Sequence, residues 1–316
     1  IARGTRFLPV NLQDMAERGW DQVDCAFVSG DAYVDHPSFG HAIISRVLEA
    51  EGFRVGIIAQ PDWRSTQDFL ALGRPRIGVL VSSGNLDSMV CAYTAARKKR
   101  SEDAYSPGGE AGKRPDRATI VYCNRIRELW GDIPLIIGGI EASLRRFSHY
   151  DYWSDSLRRS MLVDSRADLL VYGMGERPIR EIATRLRAGE SVRDIRDVRG
   201  TCYRAGDEEL PPDSVELPSF EETVSDPAAF ARSFRLFSRE QDTVRGRTLR
   251  QKHGLSHVVQ NPPAALLSEA ELDAIYELPY VRTYHPQYEN AGGVPAIREV
   301  QFSLVTHRGC FGGCAF

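Results

Sequence analysis

Two cysteines four positions apart, Cys310 and Cys314, lie in the run His307-Arg-Gly-Cys-Phe-Gly-Gly-Cys-Ala-Phe316. Thiolates are soft ligands that select metals such as zinc and iron–sulfur clusters. The spacing Cys-x3-Cys, followed by two further residues, is what remains of Cys-x3-Cys-x2-Cys if a third cysteine comes next. Three thiolates on one loop can hold three irons of a [4Fe-4S] cube, a cluster that ordinarily takes four cysteine ligands. The fourth iron is then open, as in catalytic rather than closed structural metal sites. Gly309, Gly312 and Gly313 suit a loop that wraps a cofactor, because glycine accepts positive φ and close backbone approach. Two other readings stand beside this one: ordinary loop thiols, or half of a zinc site. The zinc reading needs a second cysteine pair, and Cys25, Cys91, Cys123 and Cys202 are too widely separated to form one.

Other chemistry-bearing residues fall in loops. Asp31-Ala-Tyr-Val-Asp-His-Pro-Ser-Phe-Gly40 offers Asp35 and His36 as ligands for a metal or cofactor, or as acid and base. Equally, the two side chains can bond locally and cap the following helix. Gly138, Gly139 and Glu141 open a stretch to Asp155 that holds two guanidiniums, an imidazole, carboxylates and four aromatics. Such a mixture suits a ligand pocket or a domain interface. Gly108-Gly-Glu-Ala-Gly-Lys113 fails as a phosphate loop, since Arg114 stands where Ser or Thr belongs. Gly173-Met-Gly-Glu-Arg-Pro178 has proline in place of the third glycine of a dinucleotide fingerprint, a weak match.

The elements that must position these loops alternate. Apolar runs at 24–29, 54–59, 77–81, 119–123, 135–137 and 168–172 read as buried strands, and helical spacing is expected at 42–48, 63–72, 86–98 and 178–188. Strand, helix, strand in repetition predicts an α/β fold, a Rossmann-like, doubly wound and mainly parallel sheet over residues 1–200. Ligands in such sheets bind at the carboxyl ends of the strands. Residues 201–295 turn polar and proline-bearing and are expected to connect, with helices near 227–242 and from the Ser268–Glu271 capping box onward. At 296–316, Val300, Phe302 and Leu304 alternate with polar residues as in a half-buried strand, the first of a further barrel leading into the cysteine loop.

A net charge of -3 over 316 residues gives no overall drive toward nucleic acid or anionic membrane. Arg97-Lys-Lys-Arg100 reads as a solvated helix end, with nucleic-acid contact the lesser reading. No apolar run approaches the roughly 18 residues of a membrane helix, and no secretory pattern opens the chain. A cytoplasmic protein with reduced, buried thiols is expected. The chain begins at Ile1 and stops within a motif, and it is expected to be a piece of a longer protein.

With these residues in hand, the chain resembles the YgiQ-type radical SAM proteins. The resemblance is carried by 30–40, Gly56-Ile-Ile-Ala-Gln-Pro-Asp-Trp63, Gly138-Gly-Ile-Glu-Ala-Ser-Leu-Arg-Arg146, His149-Tyr-Asp-Tyr-Trp-Ser-Asp155 and Arg308-Gly-Cys-Phe-Gly-Gly-Cys314, which span nearly the whole chain. It implies a [4Fe-4S] cluster with Cys310 and Cys314 as its first two ligands, and Phe316 near the adenine of S-adenosylmethionine. It further implies reductive cleavage of that cofactor to a 5′-deoxyadenosyl radical, with a flavodoxin- or ferredoxin-like electron donor. The present chain alone is expected to be inactive. The first domain is similar in layout to cobalamin-binding domains, which makes Asp35, His36, Gly138, Gly139 and Glu141 candidate ligand or interface positions. It departs from them in lacking Asp-x-His-x2-Gly, the source of a cobalt-ligating histidine, so the resemblance implies either cobalamin bound without a histidine ligand or no cobalamin. A cobalamin- or ligand-binding or docking module of a methyl- or methylthiotransferase-like enzyme is the alternative.

Overall fold

The computed structural model describes residues 6–305 together with Arg308. The chain enters through α1 (Leu12–Glu17), whose first turn is capped by the Asn11 side chain accepting the Asp14 N–H at 2.9 Å. It then forms β1 (Cys25–Ser29), α2 (Gly40–Ala50), β2 (Val55–Ala59) and β3 (Gly78–Ser82). Phe27 of β1 stands in parallel register between Ile57 and Leu80. These strands are continuous apolar runs because both faces of a parallel sheet are covered.

Next come α3 (Ser88–Ala92), α4 (Ala118–Trp130), β4 (Leu135–Ile137), α5 (Gly139–Leu144), the hairpin β5 (His149–Asp151) and β6 (Ser156–Arg158), α6 (Met161–Asp164), β7 (Leu169–Val171) and α7 (Glu176–Arg187). The parallel part runs in the order β2-β1-β3-β4-β7. Alternate residues of each strand serve opposite faces. Phe27, Ile57, Leu80 and Ile136 pack with Ile179 and Ile182 of α7 and Ala42 and Leu48 of α2. Val28, Val79, Val81 and Ile137 pack with Tyr122, Cys123 and Ile126 of α4. Burying each such aliphatic side chain stabilises the fold by about 1.5–3 kcal/mol relative to exposure.

The sheet does not stop at residue 200. β8 (Thr201–Ala205) pairs antiparallel with β7, and after β9 (Val215–Leu217), α8 (Phe220–Ser225) and α9 (Pro227–Arg239) come β10 (Leu249–His253) and β11 (Ser256–Gln260). The full order is β2-β1-β3-β4-β7-β8-β11-β10-β9, nine strands in one mainly parallel, mixed α/β sheet. The region expected to connect two domains therefore extends the first. Its strands were illegible because they bury polar side chains: Gln251, His253, His257 and Gln260 lie inside where an apolar alternation would have signalled a strand. α10 (Glu269–Tyr276) begins at the expected capping box, with Ser268 and Glu271 bonded reciprocally.

Four local expectations fail. Residues 119–123 are helical, within α4, because the apolar run repeats at 118, 119, 122, 123, 126 and 130, one face of a helix. Of 63–72 only the turn Asp68–Leu70 is helical, and of 86–98 only α3, after which Arg97 takes φ +59°. Near the end, α11 (Ile297–Val300) occupies part of the expected barrel strand, and Phe302 and Leu304 are almost wholly exposed, at 92 % and 90 %. A strand needs a neighbour for its backbone groups, and among the described residues none pairs with 300–304. Among the described residues no helix is long and apolar enough to cross a membrane.

Candidate functional site

The loops at the carboxyl ends of β1, β3, β4 and β7 converge. Between them lies a cleft of about 140 Å3, with Ile43 and Ile44 of α2 on one wall and Gly138, Gly139, Gly175 and Glu176 on the other. The first turn of α7 opens into it, with Gly175 as its N-cap and no side-chain cap. The unbonded N–H groups and dipole of such a helix start favour negative charge. Glu176 is 1 % exposed; its Oε1 receives the guanidinium of Arg308, while its Oε2 has no hydrogen-bond partner among the described residues. Arg308 is thus held in the cleft, two positions before Cys310.

The loops are fixed by buried polar groups. Asp31, following β1, is fully buried and accepts the Asn85 N–H at 2.7 Å. Arg114 Nη2 lies 2.9 Å from Asp31 Oδ1 and 3.2 Å from Asp103, while its Nη1 donates to the Ser83 carbonyl at 2.7 Å. One guanidinium therefore ties together the loops after β1 and β3 and the long loop 101–117. Burial outweighs this pairing for Asp31 and pushes its carboxyl up to about 6. Gly84 takes φ +108°, and a Cβ there would stand 2.0 Å from Asp31 Oδ1, so the carboxylate can sit in this turn only over a glycine.

Asp35 and His36 do not face the cleft as a ligand pair. Asp35 is fully buried, ion-paired with Arg46 (Nε to Oδ1 3.2 Å), and accepts the Val281 N–H at 3.0 Å. It fastens the 281–284 segment to α2. His36 Nδ1 accepts the Ser38 N–H at 3.1 Å, and its Nε2 is enclosed without a partner among the described residues. Burial and then the nearby Arg282 lower its pKa to about 4, so the ring is neutral. His41 is spanned by Ser29 Oγ at 3.3 Å and the Val34 carbonyl at 3.1 Å, and burial takes it to about 4 as well.

Gly138 and Gly139 do line the cleft. Glu141 turns inward instead: Oε2 accepts the Ser88 N–H at 2.8 Å and Oε1 the Thr119 N–H at 3.2 Å, so it holds the starts of α3 and α4. The rest of the 141–155 stretch braces the fold. Arg145 pairs with Asp87, Asp151 with Arg117, and Arg146 lies between the rings of Tyr172 and Phe237, 4.6 and 4.3 Å from their centroids. Cys310, Cys314 and Phe316 lie outside the described residues. Among the described residues no group of three His, Cys, Asp or Glu could hold a metal.

Sequence reasoning did not single out Arg114, Asp103 or the Glu176–Arg308 pair. Glu176 carried a signal, a carboxylate in a glycine loop between strand and helix. Arg114 carried none, since its partners are set by how three loops meet.

Residues 7–303 match the family model described as Radical SAM N-terminal. A UPF0313 protein of Clostridium botulinum (strain ATCC 19397 / Type A) is 58% identical over 310 residues, 98% of this chain and 48% of that protein. A UPF0313 protein of Clostridium perfringens (strain 13 / Type A) is 57% identical over 312 residues, 98% of this chain and 47% of that protein. The chain thus spans about half the length of the curated relatives it matches. Among solved structures, the radical S-adenosylmethionine methyltransferase TsrM from Kitasatospora setae aligns with 62% of this chain and 33% of its own, at 19% identity and a TM-score of 0.39. On the match over 7–303, the chain belongs to the radical SAM N-terminal family.

Proposed function

We propose that the full-length protein is a radical SAM enzyme, with Cys310, Cys314 and a third cysteine of the longer protein holding a [4Fe-4S] cluster, and that this Rossmann-like unit docks the catalytic half. Bound there, the cluster and S-adenosylmethionine would supply a 5′-deoxyadenosyl radical for hydrogen abstraction, with Phe316 near the adenine and a flavodoxin- or ferredoxin-like protein as electron donor.

The observation that carries the docking reading is Arg308 in the cleft, ion-paired with buried Glu176 just before the cysteine loop. It supports seating of the cysteine-bearing segment at the carboxyl edge of the sheet. Glu176 would orient Arg308, while Arg114 and Glu141 keep the surrounding loops rigid. Among the described residues the same cleft offers cobalamin no histidine ligand. His36 and His41 are not among the residues that line it.

The test is anaerobic reconstitution of the full-length protein with iron and sulfide, followed by reduction with S-adenosylmethionine. Iron–sulfur absorbance and 5′-deoxyadenosine are expected, both lost in Cys310→Ser and Cys314→Ser. Absence of both from the wild type overturns the enzymatic reading. A stable cobalamin spectrum on the purified protein would overturn the preference for docking.

A further inference from the structure

At the opposite end of the sheet, where β4 and β7 begin, the surface folds into a second and larger concavity of about 1010 Å3. Its lining is rich in arginine. Arg127 builds one wall: it donates to the carbonyls of Gly131 at 2.9 Å, Ile133 at 2.7 Å and Arg166 at 3.0 Å, and to Asp168 at 2.8 Å. Its guanidinium is fully used.

The carboxylates of the lining are also committed. Asp168 pairs with Arg127, Asp132 with Arg74 at 3.0 Å, and Glu190 with Arg185 at 2.6 Å. Arg159, on the rim, pairs with Asp164 at 2.8 Å. Arg166, Arg193 and Arg204 remain. All three are exposed, all three line this concavity, and none has a carboxylate within ion-pair distance among the described residues. Other arginines of this chain are unpaired too, but these converge from three separate segments on one hollow. Three uncompensated guanidiniums in one concavity make a local positive field on a chain whose net charge is -3.

Guanidinium forks match phosphate oxygens bidentately. Among the described residues the lining holds no aromatic ring, so a splayed base would find no stacking surface there of the kind single-strand and free-nucleotide sites use. A helix backbone, with its bases turned inward, asks only for cations along its phosphates. We propose that Arg166, Arg193 and Arg204 form a docking groove for the phosphodiester backbone of base-paired nucleic acid. The groove lies at the far end of the sheet from the Arg308 cleft, so it would anchor such a partner without presenting it to that cleft. The inference stands independently of the proposed enzymatic activity.

The experiment measures binding by the full-length protein of a fluorescent RNA duplex of about 20 base pairs, and of DNA of the same sequence, across a salt series. Arg166→Gln/Arg193→Gln/Arg204→Gln is expected to weaken binding about tenfold or more. It should also flatten the slope of log K against log salt by about 2–3, one increment for each phosphate left without its arginine. Arg232→Gln/Arg235→Gln/Arg245→Gln removes the same charge from exposed positions outside the groove and should leave binding within about twofold; exposed substitutions of this kind rarely disturb folding. The proposal is overturned if the wild type binds neither duplex, or if the two triple variants behave alike. It is also overturned if inorganic tripolyphosphate displaces the duplex at equal phosphate concentration, which would leave an anion site only.

Discussion

Arg114 lies with its guanidinium 2.9 Å from the Asp31 carboxylate, both side chains withdrawn from water, and Asp103 shares the same cation at 3.2 Å. The pair joins the loops after two neighbouring strands, and its energetics set a pH signature. The Asp31 carboxyl is raised from 3.8 to about 6, burial being the largest cause. The folded state therefore binds this proton more tightly than the unfolded one. The stabilisation is complete below the unfolded value and is lost as pH rises through about 6. Relative to Asp31→Asn, the wild type should lose stability between about pH 4 and 6, read from urea midpoints; a constant difference across that window would contradict the assignment.

Gly30 should tolerate no side chain. A Cβ there would stand 2.1 Å from the Ser83 carbonyl oxygen, and backbone cannot yield as a side-chain tip can. Gly40, which lines the cleft, has open space around its Cβ position. Gly30→Ala is expected to cost about 3 kcal/mol or more by forced backbone displacement, and Gly40→Ala less than about 0.5 kcal/mol. Thermal melts of the two variants side by side make the comparison.

Removal of the Asp35 carboxylate should act on stability. Asp35→Ala leaves Arg46 buried beside Glu49 alone, which is 2.6 Å away, and frees the Val281 N–H. The expected loss is about 3 kcal/mol. Hydrogen exchange should accelerate at residues 281–284. The double variant Asp35→Leu/Arg46→Met should be less damaging than the sum of its parts, because no orphaned charge remains.

The four buried thiols should be inert. Burial raises Cys25, Cys91 and Cys202 to about 12, and Cys123 higher still, so thiolate is scarce near neutrality. Iodoacetamide on the native protein at pH 8 is expected to leave these four unmodified, and denaturant should expose all of them. Mass mapping of the alkylated peptides distinguishes the two states. Rapid native labelling of Cys91, the most exposed at 8 %, would show that its loop opens.

The alternation of apolar runs with helical spacing was enough to place β1, β2, β3, β4 and β7 and the helices α2, α7, α9 and α10, because each carries its own periodicity or cap. Gly52 ends α2 at φ +79° and Ser268 starts α10, both local signals. The same local reasoning misassigned 119–123, where a short apolar run satisfies strand and helix alike until its packing partner is known. It also missed β8 to β11, whose inward positions include Gln251 and Gln260: Gln251 bonds Ser148 and Pro218, and Gln260 bonds Arg146, partners no pattern within the strand reveals.

By itself the sequence determined the cysteine spacing, the α/β class and the loops that meet at the carboxyl edge, since these follow from residue type and short-range period. Only the tertiary structure decided what those loops do. It turned Asp35, His36 and Glu141 into internal braces, and it set Arg308 against Glu176 across 132 positions. It also gathered Arg166, Arg193 and Arg204 into one hollow on a chain of net negative charge. The physical reason is common to all three. Burial and electric field depend on distance in space, and neither a local pattern nor a summed charge contains that distance.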